Sequence, residues 1–339
     1  MAVLPAAAPQ AAAAQAGSVP HKDRLHTRVY VTNAGSDTVS VIDTGTGTVA
    51  GTPIRVGDNP VAVATDTVRG RAYVANAGSN TVSVIDTGTD TVVGTPIPVG
   101  TFPVGVAIDA RRGRAYVTNN GSNTVTVIAT RTNTVVGAPI PVGNTPVGVA
   151  TDTVRGRAYV TNLNSGTVSV IDTDTDAVVG TPIAVGAFPA GVATDIRRGR
   201  AYATTLLETV AVISTRTNTV VGDPIPVGHG PLAVATDARR GRAYVANNGS
   251  NTVTVINTDT DTVVGDPIPV GANPQGVASD AACGRAYVAN NGSNTVTVIN
   301  TDTDTVVGDP IPVGANPLGV ALSADSNCAP SAPGRPAGE

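Results

Sequence analysis

The sequence predicts an all-β protein: a closed seven-bladed β-propeller with four antiparallel strands per blade. Three observations predict it. All seven tyrosines (Tyr30, Tyr73, Tyr116, Tyr159, Tyr202, Tyr244 and Tyr287) fall on one lattice of 43 residues, shortened to 42 between Tyr202 and Tyr244. Each repeat holds four runs rich in Val, Ile, Thr or Tyr, bounded by Gly, Asn, Asp or Pro. The run missing at the start of the first repeat appears at the end of the last.

In the third repeat, PVGVAID (strand A) leads to RAYVTN (strand B, Arg114 to Asn119), then a turn, NGSN, and TVTVIA (strand C). A second turn, TRTN, enters TVVGAPIPV (strand D), and GNT crosses to the next strand A, PVGVATD. Short connections make neighbouring runs antiparallel partners. A four-stranded unit of 40–50 residues is the length of a propeller blade, and one such sheet needs neighbours to cover its faces. The chain opens on a strand B, from Arg28 to Asn33, and closes on a strand A, PLGVALS from Pro317 to Ser323. The last strand is therefore expected to complete the first blade, which removes the free sheet edges.

Strand A is expected nearest the axis, where Ala62, Gly105, Gly148, Gly191, Ala233, Gly276 and Gly319 share one crowded position. The proline that precedes each of these sites begins the strand, where a missing N–H does least harm. The tyrosine of strand B reads as a spacer between blades, its hydroxyl satisfied locally. Asn and Gly in the B–C turns supply positive φ; the Asn-Gly-Ser triplets at Asn120, Asn248 and Asn291 also fit a glycosylation sequon but are explained by turn chemistry.

Residues 1–27 are Ala-rich, with no Lys or Arg before Lys22, and read as a disordered or signal-like leader. Residues 28–323 form the propeller, and residues 324–339 read as a disordered tail. A secreted or cell-envelope location is expected, with a cytoplasmic one as the alternative. No run is long and apolar enough to span a membrane, and a net charge of −4 argues against a nucleic-acid-coating protein.

YVTN occurs at Tyr30–Asn33, Tyr116–Asn119 and Tyr159–Asn162, and YVAN at Tyr73–Asn76, Tyr244–Asn247 and Tyr287–Asn290. From Arg28 to Ser323 the chain resembles the YVTN-repeat β-propeller family, which includes surface-layer-like proteins of bacteria and archaea. The resemblance implies the fold strongly and activity weakly, because propellers host many unrelated functions.

Charge is distributed by loop. Fifteen of the 21 basic residues lie in A–B loops or at the start of strand B, whereas the C–D turns carry ten Asp against Arg131 and Arg216. The A–B loop aspartates (Asp66, Asp109, Asp152, Asp195, Asp237 and Asp280) are expected to pair with these arginines; the competing reading is an anion site at the basic ring. The DTDTD turns lack the glycine and distal glutamate of a calcium loop and read as Asx turns, so no metal and no cofactor is expected.

A catalytic site needs different residues converging on one place. Here Arg242–Pro274 and Arg285–Pro317 are identical over 33 residues. Blade five breaks the symmetry: its B–C turn is one residue short and carries Leu206, Leu207 and Glu208. Phe188 and His229 lie in the crossings on the same face. These five are the candidate ligand-binding residues, expected near the rim of the channel mouth with Glu208 and His229 as polar anchors; no catalytic residue is assigned. Cys283, in the A–B loop of blade seven, and Cys328, just past the closing strand, are the candidate disulfide. The expected function is that of a monomeric, non-catalytic binding or scaffold protein presenting a repetitive ring to a protein or polysaccharide. The alternative is a lyase- or lactonase-like enzyme acting at the mouth near blades five and six.

Overall fold

The computed structural model describes residues 27–323, which form seven antiparallel sheets arranged as a ring. The expected leader and tail, and Cys328, lie outside the described residues. In blade three, strand A (Pro103–Asp109), B (Arg114–Asn119), C (Thr124–Ala129) and D (Thr134–Pro141) pair in sequence order. Strand A of the other blades runs Pro60–Asp66, Pro146–Asp152, Pro189–Asp195, Pro231–Asp237, Pro274–Asp280 and, in blade one, Pro317–Leu322. The A strands of adjacent blades touch one another all the way round and so line the axis. Strand D is outermost. A positive-φ glycine such as Gly51 or Gly137 bends it, and in five blades the strand falls into two short pieces, Thr48–Val49 and Ile54–Arg55 in blade one.

The ring closes as the sequence predicts. Pro317–Leu322 pairs antiparallel with Arg28–Asn33, with Val29 opposite Leu322 and Val31 opposite Val320. Ser323 continues the seam: its N–H donates to the Arg28 carbonyl at 2.8 Å, and its Oγ accepts the Arg28 N–H at 3.0 Å.

Close approach at the axis explains the small residues of strand A. A Cβ on Gly148 would lie 2.6 Å from the Ala190 carbonyl, and one on Gly319 2.8 Å from that of Val61, closer than real Cβ contacts come. The apolar core is divided into seven layers, each between two blades. Between blades three and four, Tyr116, Val125, Val127 and Ile140 pack against Ala158, Val160 and Ile171. Strands B and C supply both faces, which is why their patterns are almost wholly buried rather than alternating.

Candidate functional site

The A–B loops and C–D turns share one face of the ring, and the B–C turns and D–A crossings the other. On the first face the charged residues form a network that ties each blade to the next. Tyr30, Tyr73, Tyr116, Tyr159, Tyr202 and Tyr244 each donate a hydroxyl hydrogen bond of 2.6–2.8 Å to Asp90, Asn133, Asp176, Asn218, Asp261 and Asp304 respectively, in the following blade's C–D turn. The hydroxyls are satisfied, but across the interface and not locally as the sequence suggests. Burial pushes Tyr73 and Tyr159 up to about 12. Burial, with hydrogen bonding to aspartate second, raises Tyr116, Tyr202 and Tyr244 as well.

The A–B loop aspartates pair with arginine as expected: Asp66, Asp109, Asp152, Asp195 and Asp237 are fully buried and each meets the arginine three residues on at 2.9–3.1 Å. Asp280 is the exception. Cys283 stands where the others have arginine, and among the described residues the Asp280 Oδ2 has no hydrogen-bond partner. Cys283 donates its backbone N–H to Asp280 Oδ1.

On the second face, a repeated clip holds each crossing. The last residue of the B–C turn takes positive φ, as Asp37, Asn80, Asn123, Asn251 and Asn294 do. Its side-chain oxygen accepts the backbone N–H just before the next strand A, at 2.7–2.8 Å. The turn glycines Gly35, Gly78 and Gly121 are not the positive-φ residues expected; they sit where the crossing backbone comes close, a Cβ on Gly78 lying 3.0 Å from Asp58.

Two crossings depart from this pattern, and all five predicted residues lie at them. Where blade four passes to blade five, the clip position is Gly166, which has no side chain to offer. Phe188 before strand A takes φ of 54° and is 46% exposed, and its carbonyl accepts the Leu206 N–H at 3.1 Å. Where blade five passes to blade six, Glu208 occupies the clip position at φ 63°, but its Oε1 meets His229 Nδ1 at 2.6 Å instead of a backbone N–H. Both side chains are more than half exposed, and Leu207 beside them is 61% exposed. Strand B of blade five also ends in Thr205, where the other six blades end in a buried Asn.

A groove of about 730 Å³ opens on the outer wall between blades five and six, lined by Val221, Pro224, Pro226, Val263, Arg200 and Asp261. None of the five predicted residues lines it. Among the described residues no group of three or more His, Cys, Asp or Glu is arranged to hold a metal, and no helix is long and apolar enough to cross a membrane.

No family model matches the chain, and no curated protein does. Solved structures do. A functionally unknown protein from Desulfotomaculum acetoxidans is similar at a TM-score of 0.73 and 17% identity, covering 87% of this chain and 98% of that one. Kuenenia stuttgartiensis hydrazine synthase matches at TM-score 0.68 and 21% identity over 79% and 91% of the two chains. AztD from Citrobacter koseri matches at 0.66 and 11% identity over 88% and 97%. At these identities the likeness is one of fold.

Proposed function

We propose that this chain is a non-catalytic binding propeller of the YVTN-repeat type that engages a protein or polysaccharide at the cell envelope or outside the cell. The observation that carries this reading is the patch at blade five. There the repeated clip is lost at both crossings that meet the turn, Phe188 and Leu207 are exposed, and Glu208 is hydrogen-bonded to His229. Exposed apolar groups beside a fixed polar pair suit a contact surface. The pair also occupies a structural position, each group committed to the other, which favours recognition over the lyase- or lactonase-like alternative.

The test is a binding screen against envelope polysaccharides and proteins, run beside Phe188→Ala/Leu207→Ala and Glu208→Gln/His229→Ala. A ligand whose affinity falls at least about tenfold in both variants fits a small hot spot. Ligands insensitive to both variants, or turnover of a lactone or glycan by the wild type, would sink the reading.

A Cys283–Cys328 disulfide belongs to the same proposal. Cys283 replaces the loop arginine beside the ring-closing blade, so a bridge would anchor the terminal strand where the Asp–Arg tie is missing. In the chain-entropy picture a loop of this length contributes roughly 3–4 kcal/mol. Intact mass of protein from an oxidising compartment should rise by about two hydrogens on reduction; an unchanged mass refutes the bridge.

A further inference from the structure

Five arginines occupy one position in the A–B loops: Arg69, Arg112, Arg155, Arg198 and Arg240. Each is fixed the same way. Nη1 donates to the buried loop aspartate and to a carbonyl of the next blade, those of Ala110, Thr153, Ile196, Ala238 and Ala281 in turn. The Nε and Nη2 edge is left facing the next blade's C–D turn. In three cases that turn supplies an aspartate. Arg112 grips Asp174 at 2.5 and 3.0 Å, Arg198 grips Asp259 at 2.6 and 2.8 Å, and Arg240 meets Asp302 at 2.5 Å. The guanidinium holds each of these three carboxyls below the usual carboxylate range.

In the other two cases the chain supplies the opposite charge. The position of Asp174 is taken by Arg131 opposite Arg69, and by Arg216 opposite Arg155. The substitution is seen directly at the loop glycines. Around Gly241 the nearest side-chain atoms to a Cβ are Arg198 Nη2 at 2.7 Å and Asp259 Oδ2 at 2.8 Å; around Gly199 they are Arg155 Nη2 at 3.1 Å and Arg216 Nε at 3.3 Å. At the Arg155 site two cations converge where a cation and a carboxylate meet elsewhere. Around Gly113 the nearest atoms belong to Arg69, with Nη2 at 3.0 Å, and to Thr130, with Oγ1 at 3.6 Å, so there Arg131 holds the aspartate's sequence position without closing on the guanidinium. Among the described residues no acceptor engages the Nε or Nη2 of Arg69 or Arg155. A second difference accompanies the first. Thr173, Thr258 and Thr301 donate their hydroxyls to the loop aspartates at the paired interfaces, whereas among the described residues the buried hydroxyls of Thr130 and Thr215 at these two have no hydrogen-bond partner. The exposed Val68 and Val154 precede the two arginines, so each fork carries an apolar shoulder.

We propose that Arg69 with Arg131, and Arg155 with Arg216, are two carboxylate-binding forks that take acidic side chains of a polypeptide partner. The occupant's chemistry is taken from the chain itself: at the three equivalent interfaces the arginine edge is filled by an aspartate carried on a turn. The guanidinium is anchored before any ligand arrives, so little side-chain entropy remains to be lost, and a bidentate charge-assisted pair is the strong form of the contact. A net charge of −4 makes nonspecific attraction of an acidic chain unfavourable, so binding has to be local. These forks lie on the opposite face from Phe188 and His229 and stand or fall independently of the blade-five patch.

Arg131→Asp/Arg216→Asp tests this by supplying the carboxylate that the other three interfaces already hold. Labelled poly-L-glutamate is titrated at low ionic strength against wild type, this variant, and Arg55→Asp/Arg239→Asp, a control with the same charge change at exposed arginines outside the forks. The expected result is measurable wild-type binding that weakens roughly tenfold or more in the fork variant and much less in the control. The fork variant should also melt no lower than wild type, because it gains the pairs seen at Asp174, Asp259 and Asp302. Absence of wild-type binding, or equal losses in both variants, overturns the proposal; so does fork-dependent binding of polyphosphate without binding of polyglutamate.

Discussion

Tyr287 shows what a single position decides in a repeated interface. Its six counterparts each donate to an Asp or Asn in the next blade, but the seventh turn has Gly47 there, so among the described residues the buried Tyr287 meets no side-chain acceptor. Gly47 has φ of 68°, in the same left-handed region as Asp90 and Asn133, and a Cβ on it would touch nothing within 4 Å. Gly47→Asn is therefore expected to raise stability by about 1 kcal/mol, from one buried hydroxyl hydrogen bond and a less flexible unfolded chain, with the small left-handed penalty of Asn subtracted. Urea denaturation would read it as a higher midpoint at unchanged slope, and an unchanged midpoint would mean that the seam does not use the bond. The tyrosines also set the alkaline limit. Ionisation in the folded state is pushed from the ordinary 10.0 to about 12 for Tyr73 and Tyr159. The folded protein thus keeps protons that the unfolded chain releases, so the contribution of these tyrosines to stability is flat below about pH 10 and falls from there towards about pH 12. Tyrosinate absorbance should rise together with loss of the β signal; a rise near pH 10 in folded protein would contradict the burial.

At the scale of the element, the clip between B–C turn and D–A crossing fixes where each inner strand begins. Asn123→Gly keeps the positive φ and deletes only the amide that accepts the Thr145 N–H at 2.8 Å. It should cost roughly 0.5–1.5 kcal/mol, the net worth of one hydrogen bond with a small glycine entropy term added. Glu208→Gly should cost less, because its bond to His229 joins two side chains that are both more than half exposed. Equal losses by thermal melting would place the blade-five pair among the structural clips and weaken its reading as a contact surface. The clip illustrates the limit of sequence reading. Strand boundaries and their prolines were legible because each is a local pattern, and the positive-φ turn was legible in kind. Which turn residue took the φ, and that its side chain reached a backbone N–H about 22 residues away, depended on how the crossing passes over the turn. The blade-five residues were found because they break a repeat, and Glu208 and His229 do meet; what the sequence withheld was that they meet in the clip position. The arginine forks were in view as a basic ring, but their division into paired and unpaired sites became visible only across blades, between residues about 62 apart.

For the whole molecule, the question is what keeps the circle shut. All seven interfaces have a covalent crossing and six add a Tyr–Asx bond, whereas blades seven and one meet through Tyr287 and Gly47 and through Asp280 without its arginine. What compensates is the mixed first blade, in which Pro317–Leu322 from one end of the propeller pairs with Arg28–Asn33 from the other. That ladder locks the ends together inside one sheet, and opening it would expose two strand edges. A circular permutant that moves residues 314–323 ahead of Arg28, joined to it by a four-residue loop like the one between Asp109 and Arg114, makes every blade contiguous, cuts the crossing between blades seven and one, and leaves that seam held by non-covalent contacts alone. It should reach the same fold, because every blade keeps its four strands, but unfold faster, because the tie absent from the permutant is one that opening must break in the parent. Adding Gly47→Asn to the permutant should restore part of the difference, since it supplies the interblade bond this seam lacks. Stopped-flow unfolding in guanidinium would compare the three proteins. A permutant that unfolds at the parent's rate would show that the ring opens elsewhere and that the mixed blade is not what holds it.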